Sequence, residues 1–396
     1  MDASLLRRID CWLEAHRAQI VADLVDLVRI PSVSVPSTAF PPYGKACRDA
    51  LAFMEGLARR YGYAYRNYDH YIGAIRLNPG DTEIAFWSHL DVVPVPDPGE
   101  WDYPPFEGRI VEDRYIIGRG VQDNKSTAIG ILHAHRCLRE LGVPLRHGYA
   151  LYLGTSEETG MEDVRYFLSH YPAPDLSIVP DCGFPVCIAQ RGAMRLQFAL
   201  PFPHALHIDL FNNPSVTPES LRVRFADQPP LTVTGESTHV YLAEHADNAI
   251  VRLFELLAAR YPDQAGPLLR CRSMLGDWRG GGLGISVCDA LSGPLCAAPT
   301  RIQWQDGRLL VDLYCILPVQ SDPDALIARA EKSAGALGME VRVLSRRNPV
   351  SFPADHPVVH LLTDTYNRLT GLDAAPFVMS GGNYAAYLPN PKALGR

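Results

Sequence analysis

Along residues 14–30 (EAHRAQIVADLVDLVRI) the apolar positions recur at helical spacing and stop at Pro31, which predicts a helix ending there. Further helices are expected over about 46–62 and 124–141. Two apolar runs, EIAFWSHL (83–90) and HGYALYLG (147–154), read as buried strands bounded by polar turn residues. This alternation predicts an α/β fold, with a mostly parallel sheet flanked by helices. From about residue 192 the pattern changes to short alternating strands (MRLQFAL, PLTVTG, RLLVDLYCIL) and helical stretches at 246–260 and 323–337. A Gly-rich segment, GDWRGGGLGIS, interrupts them, and the whole has an α+β texture. Beyond about 345 the chain returns to a helix (356–369) and a Gly–Gly turn at 381–382. The change of texture near 192 marks a separate α+β domain after the α/β one.

Composition narrows the classes. At ~100–200 residues per domain, 396 residues predict two domains, perhaps three. With 47% hydrophobic and 20% charged residues, disordered, collagen-like and coiled-coil chains are excluded. A net charge of −7 without basic runs argues against nucleic acid as a partner. No apolar stretch approaches the ~20 residues of a membrane-spanning helix, so no membrane partner is expected. The N-terminus, MDASLLRRIDCWLEAHR, lacks the apolar block of a secretory signal, which points to the cytoplasm. Nine scattered cysteines without a CxxC pair read as small core residues in a reducing compartment.

Candidate chemistry stands at the expected strand ends, where open α/β sheets place ligand sites. In SHLDVVP (88–94) an extended backbone points His89 and Asp91 the same way. The carboxylate can then hold the imidazole tautomer of a metal ligand; equally, the pair reads as a strand-end His and a turn Asp. GRGVQDNKS (118–126) runs into a helix, where Asp123 either caps the helix or bridges two metals. In GTSEETG (154–160) the adjacent Glu157 and Glu158 repel each other unless a cation, a shared proton or solvent relieves them. VPDC (179–182) closes another strand with Asp181. Together these donors are oxygen-rich with one histidine, a mixture suited to zinc, manganese or cobalt. The spare glutamate can serve as general base on water whose pKa a zinc ion lowers to ~7. The chain has no GxSxG elbow and no Walker A loop, so hydrolysis without a covalent intermediate is the chemistry indicated.

In order and spacing, SHLDVVP, GEWDYPPFEG, GRGVQDNKS, GTSEETG and VPDCGFP resemble the co-catalytic metallopeptidases that include acetylornithine deacetylase, succinyl-diaminopimelate desuccinylase and carboxypeptidase G. The likeness covers nearly the whole chain. PPYGKACRDAL (41–51), LGD (275–277), GLGI (282–285), SGPL (292–295) and SGGNYA (380–385) resemble the dipeptidase V branch of that family. The resemblance implies that 1–191 and 345–396 form the catalytic domain and 192–344 its lid. It implies two divalent metal ions, zinc or manganese, with cobalt also tolerated. His89 and Asp181 would bind one ion, Glu158 the other, and Asp123 would bridge them at ~3.5–4 Å separation. Asp91 would orient His89, and Glu157 would be the general base. In the lid, GESTH (235–239) with DNAI (247–250) implies that His239 supports charge developing on the scissile carbonyl. Asn213, Gly381 and Gly382 would contact substrate. The implied activity is a dipeptidase acting on small peptides. Alternatives are a deacylase of N-acyl amino acids or an impaired homologue that binds peptide or metal without turnover. The chain would be a monomer or homodimer.

The chain departs from the family pattern in three respects. The family's further metal-ligand histidine lies beyond the Gly–Gly turn, and the sequence reaches Arg396 without it, so the second catalytic segment reads as truncated and activity is in question. The lid arginine that grips the substrate carboxylate is Ile316 in VDLYCILPV, and isoleucine cannot imitate that bidentate clamp. Asn383 and Ala386 replace a threonine and a basic residue near the turn, while Asn124 and Ser126 vary the loop after Asp123.

Overall fold

The computed structural model describes residues 3–81, 83–210, 213–226, 228–245 and 247–388. Helix α1 (Ala3–Val28) turns Leu24, Leu27 and Val28 inward, and α2 (Lys45–Arg60) adds Leu51, Met54 and Leu57 to the same core. Helix α1 begins earlier than the expected residue 14. Its first turns are anchored by Trp12, whose Nε1 donates to Glu140 at 2.8 Å.

Next come β1 (Ala64–Tyr68), β2 (Ile72–Asn78), β3 (Glu83–His89) and a ribbon of β4 (Arg109–Val111) and β5 (Tyr115–Ile117). Then follow α3 (Ser126–Glu140), β6 (Gly148–Gly154), α4 (Glu162–His170) and β7 (Leu176–Ile178). The main sheet has the order β1-β2-β6-β3-β7. Strand β3 is parallel to β6 and β7, whereas β2 is antiparallel to β1 and β6. The sheet is therefore mixed, not mostly parallel as the pattern suggested. Only Asp69–Tyr71 separate β1 from β2, with Asp69 and His70 at φ 56° and 63°, and so short a reversal returns antiparallel.

Alternation along the strands feeds two cores. Leu151 and Leu153 of β6 face the α1–α2 side with Ile75 and Leu132, while Tyr152 joins Trp87, Val164, Phe167 and Tyr384 on the other. The parallel strands end abreast, with His89 opposite Gly154 and Phe86 opposite Ile178. The segments leaving those ends carry Asp91, the Glu157–Glu158 pair and Asp181.

A second compact unit spans Cys187–Ser351 and Phe377–Gly382, the first comprising the chain up to Val186, Phe352–Pro376 and the residues from Asn383 onward. It contains β8 (Cys187–Gln190), β9 (Gly192–Pro201), β10 (Leu206–Asp209), β11 (Ser220–Phe225), β12 (Gln228–Thr234), α5 (Ala249–Arg260) and α6 (Ala265–Leu275). Continuing, it has β13 (Cys288–Asp289), β14 (Gly293–Pro294), β15 (Cys296–Gln305), β16 (Arg308–Leu317), α7 (Pro323–Gly335), β17 (Glu340–Arg347) and β18 (Val350–Ser351). Helix α8 (Pro357–Thr370) returns to the first unit, and β19 (Phe377–Met379) pairs with β8 in the second. The antiparallel sheet β15-β16-β9-β17 is covered on one face by α5, α6 and α7, through Leu196, Phe198, Leu253, Phe254, Leu268 and Leu326. Helix α5 starts at Ala249, not 246, because the Asn248 side chain caps it by accepting from Ile250 N–H at 2.9 Å. Among the described residues no helix is long and apolar enough to cross a membrane.

Candidate metal centre

The imidazole of His89, the last residue of β3, is the fixed point of the site and is buried. Nδ1 lies 2.9 Å from the Asp91 carbonyl oxygen, which can only accept, so Nδ1 carries a proton and Nε2 is turned towards the carboxylates. Nε2 is 2.9 Å from Asp123 Oδ1 and 3.9 Å from Asp181 Oδ1. One ligand atom each from His89, Asp123 and Glu158 lie within 4.8 Å of one another, and so do those of His89, Glu157 and Asp181. The carboxylates of Asp123, Glu158 and Asp181, proposed as metal ligands, and of Glu157, proposed as the base, thus gather around one imidazole from three loops.

Charge is crowded here. Burial, opposed by His89 and reinforced by the carboxylates of Asp181, Asp91 and Glu158, pushes Glu157 up to about 9. Burial and Asp123 push Glu158 up to about 7, and burial also raises Asp181. Burial opposes charge on His89, yet Asp123, Asp91 and Asp181 hold its pKa well above the ordinary imidazole value. Asp123 alone is lowered, by its hydrogen bond to His89, and its side chain is 65% exposed, which marks the open edge. Carboxylates packed this closely need protons or a cation. One imidazole with several carboxylate oxygens is a donor set that suits a divalent ion, so the residues present fit a metal.

The scaffold behind these donors is more elaborate than the motifs suggested. Asp91 is fully buried and its carboxylate accepts from the backbone amides of Glu157 and Glu158, both at 3.1 Å; its ring-holding role falls mainly to its carbonyl. Asp163, at the start of α4, accepts through Oδ2 from the amides of Thr155 (2.7 Å) and Ser156 (2.8 Å) and from the Tyr384 hydroxyl (2.5 Å). Four successive amides, 155 to 158, therefore rest on two buried carboxylates. Asn124, joined to Asp123 by a cis peptide bond, accepts from Ser88 Oγ at 2.6 Å and donates to Asp181 Oδ1 at 2.7 Å. Lys125 is buried and donates to the carbonyls of Leu27 (3.1 Å) and Ile30 (2.7 Å), and burial pushes it down to about 8.

Sequence reasoning gave no role to Asp163 or Lys125. Asp163 looks like an acid complementing a helix N-terminus, and Lys125 like a surface residue beside a polar loop; only contacts distant in sequence reveal them. The remaining expected site residues lie in the second unit. His239 is half-buried, which lowers its pKa, and its Nδ1 accepts weakly from Tyr241 N–H at 3.3 Å. Asn213 accepts from the amide and hydroxyl of Ser215. Gly382 packs against the guanidinium of Arg347, and Gly381 against Met379.

The chain resembles known dipeptidases in sequence and in fold. The chain is 26% identical over 429 aligned residues to a beta-Ala-Xaa dipeptidase of Lactobacillus delbrueckii subsp. lactis, covering 96% of this chain and 89% of that protein. It is 25% identical to a putative dipeptidase of Bacillus subtilis, covering 96% and 90%. Its fold is similar to human carnosine dipeptidase 1 (TM-score 0.63, 14% identity, 99% of this chain and 90% of that one). It is also similar to an M20 family metallo-carboxypeptidase from Sulfolobus solfataricus (TM-score 0.60, 15% identity, 94% and 89%). The sequence pattern of peptidase family M20/M25/M40 matches residues 85–394, a span that begins just before His89 and contains every proposed donor, and the chain belongs to that family.

Proposed function

We propose that this protein is a metal-dependent dipeptidase that cleaves small, apolar dipeptides. The observation that carries the reading is the convergence of Asp123, Glu157, Glu158 and Asp181 on the one imidazole whose Nδ1 is held by Asp91. Two divalent ions, zinc or manganese with cobalt tolerated, would be held by His89 and Asp181 on one side and Glu158 on the other, with Asp123 between. When bound, such ions polarise the scissile carbonyl and acidify water near neutral pH. Glu157 takes the proton from the attacking water and passes it to the leaving amine. Its backbone amide is pinned by Asp91, so the base is held on a fixed loop. His239 is proposed to support the developing negative charge, and Asn213, Gly381 and Gly382 to contact substrate, all on the resemblance alone. Cytoplasmic residence belongs to the same reading, supported by nine cysteines that are all free thiols.

A second reading, deacylation of N-acyl amino acids, is favoured by Ile316, because a site without an arginine there need not demand the same free carboxylate. One experiment separates the readings. The chain is stripped with chelator, reloaded with zinc or manganese, and assayed on dipeptides and on N-acetyl and N-succinyl amino acids beside Glu157→Ala. Glu157-dependent dipeptide cleavage with two ions per chain supports the proposal. Deacylation alone selects the second reading, and one ion or none without cleavage selects an impaired, binding-only homologue.

A further inference from the structure

Within the second unit, the start of α5 and the end of α6 meet over β15 at a cavity of about 230 Å³. Its walls are fixed. Asn248 caps α5 through Oδ1 and donates through Nδ2 to the Pro299 carbonyl of β15 at 2.7 Å, which ties the helix to the sheet. The Trp278 carbonyl accepts from the Ala297 amide at 2.7 Å, so the half-buried indole is tied to the same strand. Val251, Trp278, Ala298 and Pro299 give the cavity an apolar side. Its volume is below the ~300–1,000 Å³ of sites for drug-sized ligands, and so suits a molecule of amino-acid or dipeptide size.

The other side is charged. Arg252 pairs with Asp247 and donates to the Thr234 carbonyl at 3.2 Å, while Arg272 Nε donates to Glu255 Oε1 at 2.6 Å. Arg252 and Glu255 are neighbours on α5, three residues apart. The charges therefore alternate along the row Asp247, Arg252, Glu255, Arg272. Each inner charge has an opposite charge on both sides, and each end charge has only one. One end of the row is a carboxylate and the other a guanidinium. Among the described residues the terminal amino groups of Arg272 and the Oδ1 of Asp247 make no hydrogen bond. The row is neutral as a whole, so it offers little to a simple anion or cation. It complements a ligand with an ammonium at one end and a carboxylate at the other, the latter matched to the guanidinium fork.

We propose that this cavity binds a small zwitterion of the amino-acid or dipeptide type. Its carboxylate sits on the terminal amino groups of Arg272, its ammonium on Asp247, and its apolar side chain against Trp278. The site lies wholly in the second unit and stands whether or not the chain hydrolyses peptides. Leucine and glycyl-leucine are titrated into the chelator-stripped full chain, followed by calorimetry and by tryptophan fluorescence. N-acetyl-leucine, which lacks the ammonium, and leucinamide, which lacks the carboxylate, are titrated beside them. The expected result is that a zwitterion binds and that both blocked forms bind ~10–100-fold more weakly. Arg272→Met and Asp247→Asn should each weaken the zwitterion ~10–100-fold, and Arg272→Lys, which keeps the charge but loses the fork, should fall between. The fluorescence change should vanish in Trp278→Phe. Tighter binding of leucine assigns the site to free amino acids, and tighter binding of glycyl-leucine assigns it to dipeptides. No binding of either overturns the proposal, as does equal binding of zwitterions and blocked forms. Affinity indifferent to residues 247 and 272 also overturns it, since it places the ligand elsewhere. Thermal melts report whether each variant is folded; if Arg272→Met is not, Arg272→Lys and the blocked ligands on the wild type decide.

Discussion

Replacing Asp163 by alanine removes the acceptor beneath half of the loop that carries Glu157 and Glu158. In the native chain Oδ2 receives the amides of Thr155 and Ser156 and the Tyr384 hydroxyl, and Oδ1 receives the Val164 amide at 2.8 Å. Asp163 is fully buried, so water does not readily take its place. An orphaned buried donor costs about 1–3 kcal/mol. Taking only the low end for the two loop amides gives about 2 kcal/mol, which multiplies the open population of the loop ~30-fold. Hydrogen exchange reads this directly: the Thr155 and Ser156 amides should exchange ~30-fold faster in Asp163→Ala, and those of Glu157 and Glu158, held by Asp91, by a smaller factor. Protection at Thr155 and Ser156 within ~2-fold of wild type would refute the two-carboxylate cradle. The isosteric Asp163→Asn adds a pH test. Burial and the neighbouring Asp91 push Asp163 up to about 6 despite the hydrogen bonds it accepts. Between about pH 4 and 6 the folded chain therefore keeps a proton that the unfolded chain has released. Stability from this group falls as pH rises through that window and is constant above it. The wild type's advantage over Asp163→Asn should shrink by up to about 3 kcal/mol from pH 4 to 6.5, as read by denaturant melts.

Glu157→Gln should lower kcat by ~10²–10⁴-fold while the chain still binds metal, checked by steady-state kinetics beside elemental analysis. Asp91→Ala should weaken metal affinity ~10–100-fold, because it frees the Glu157 and Glu158 amides; competition with a chromophoric chelator measures it. Stripping divalent metal should lower the melting temperature, and adding zinc at ~100 times its Kd should restore about 2.7 kcal/mol, seen by calorimetry.

What was legible in the sequence is what depends on neighbours in the chain. The strands ending at His89 and Gly154 and helices α2, α3 and α7 follow from short-range periodicity, and the proposed ligands His89, Asp123, Glu158 and Asp181 and the proposed base Glu157 sit at strand ends or in turns that local pattern marks. The β1–β2 hairpin escaped because its reversal depends on Asp69 and His70 adopting positive φ, with no glycine to signal it. Asp163 and Lys125 escaped for a different reason. Their partners are an amide eight residues back and a hydroxyl 221 residues on for the first, and carbonyls 95 and 98 residues away for the second. No periodicity records such contacts.

These hidden contacts explain how a site so dense in negative charge can be built before any cation arrives. The carboxylates that would repel one another are not left to find their own positions. Asp91 spends its charge on two backbone amides and Asp163 on two more, so the loop between β6 and α4 is set by groups that do not face the cluster. Asn124 fixes Asp181 through a neutral amide, and Asp91 holds His89 chiefly through its carbonyl. Positioning is thereby separated from ligation. The scaffold spends hydrogen bonds that no cation competes for, and the free oxygens of Asp123, Glu157, Glu158 and Asp181 keep the unrelieved repulsion that makes a divalent ion bind.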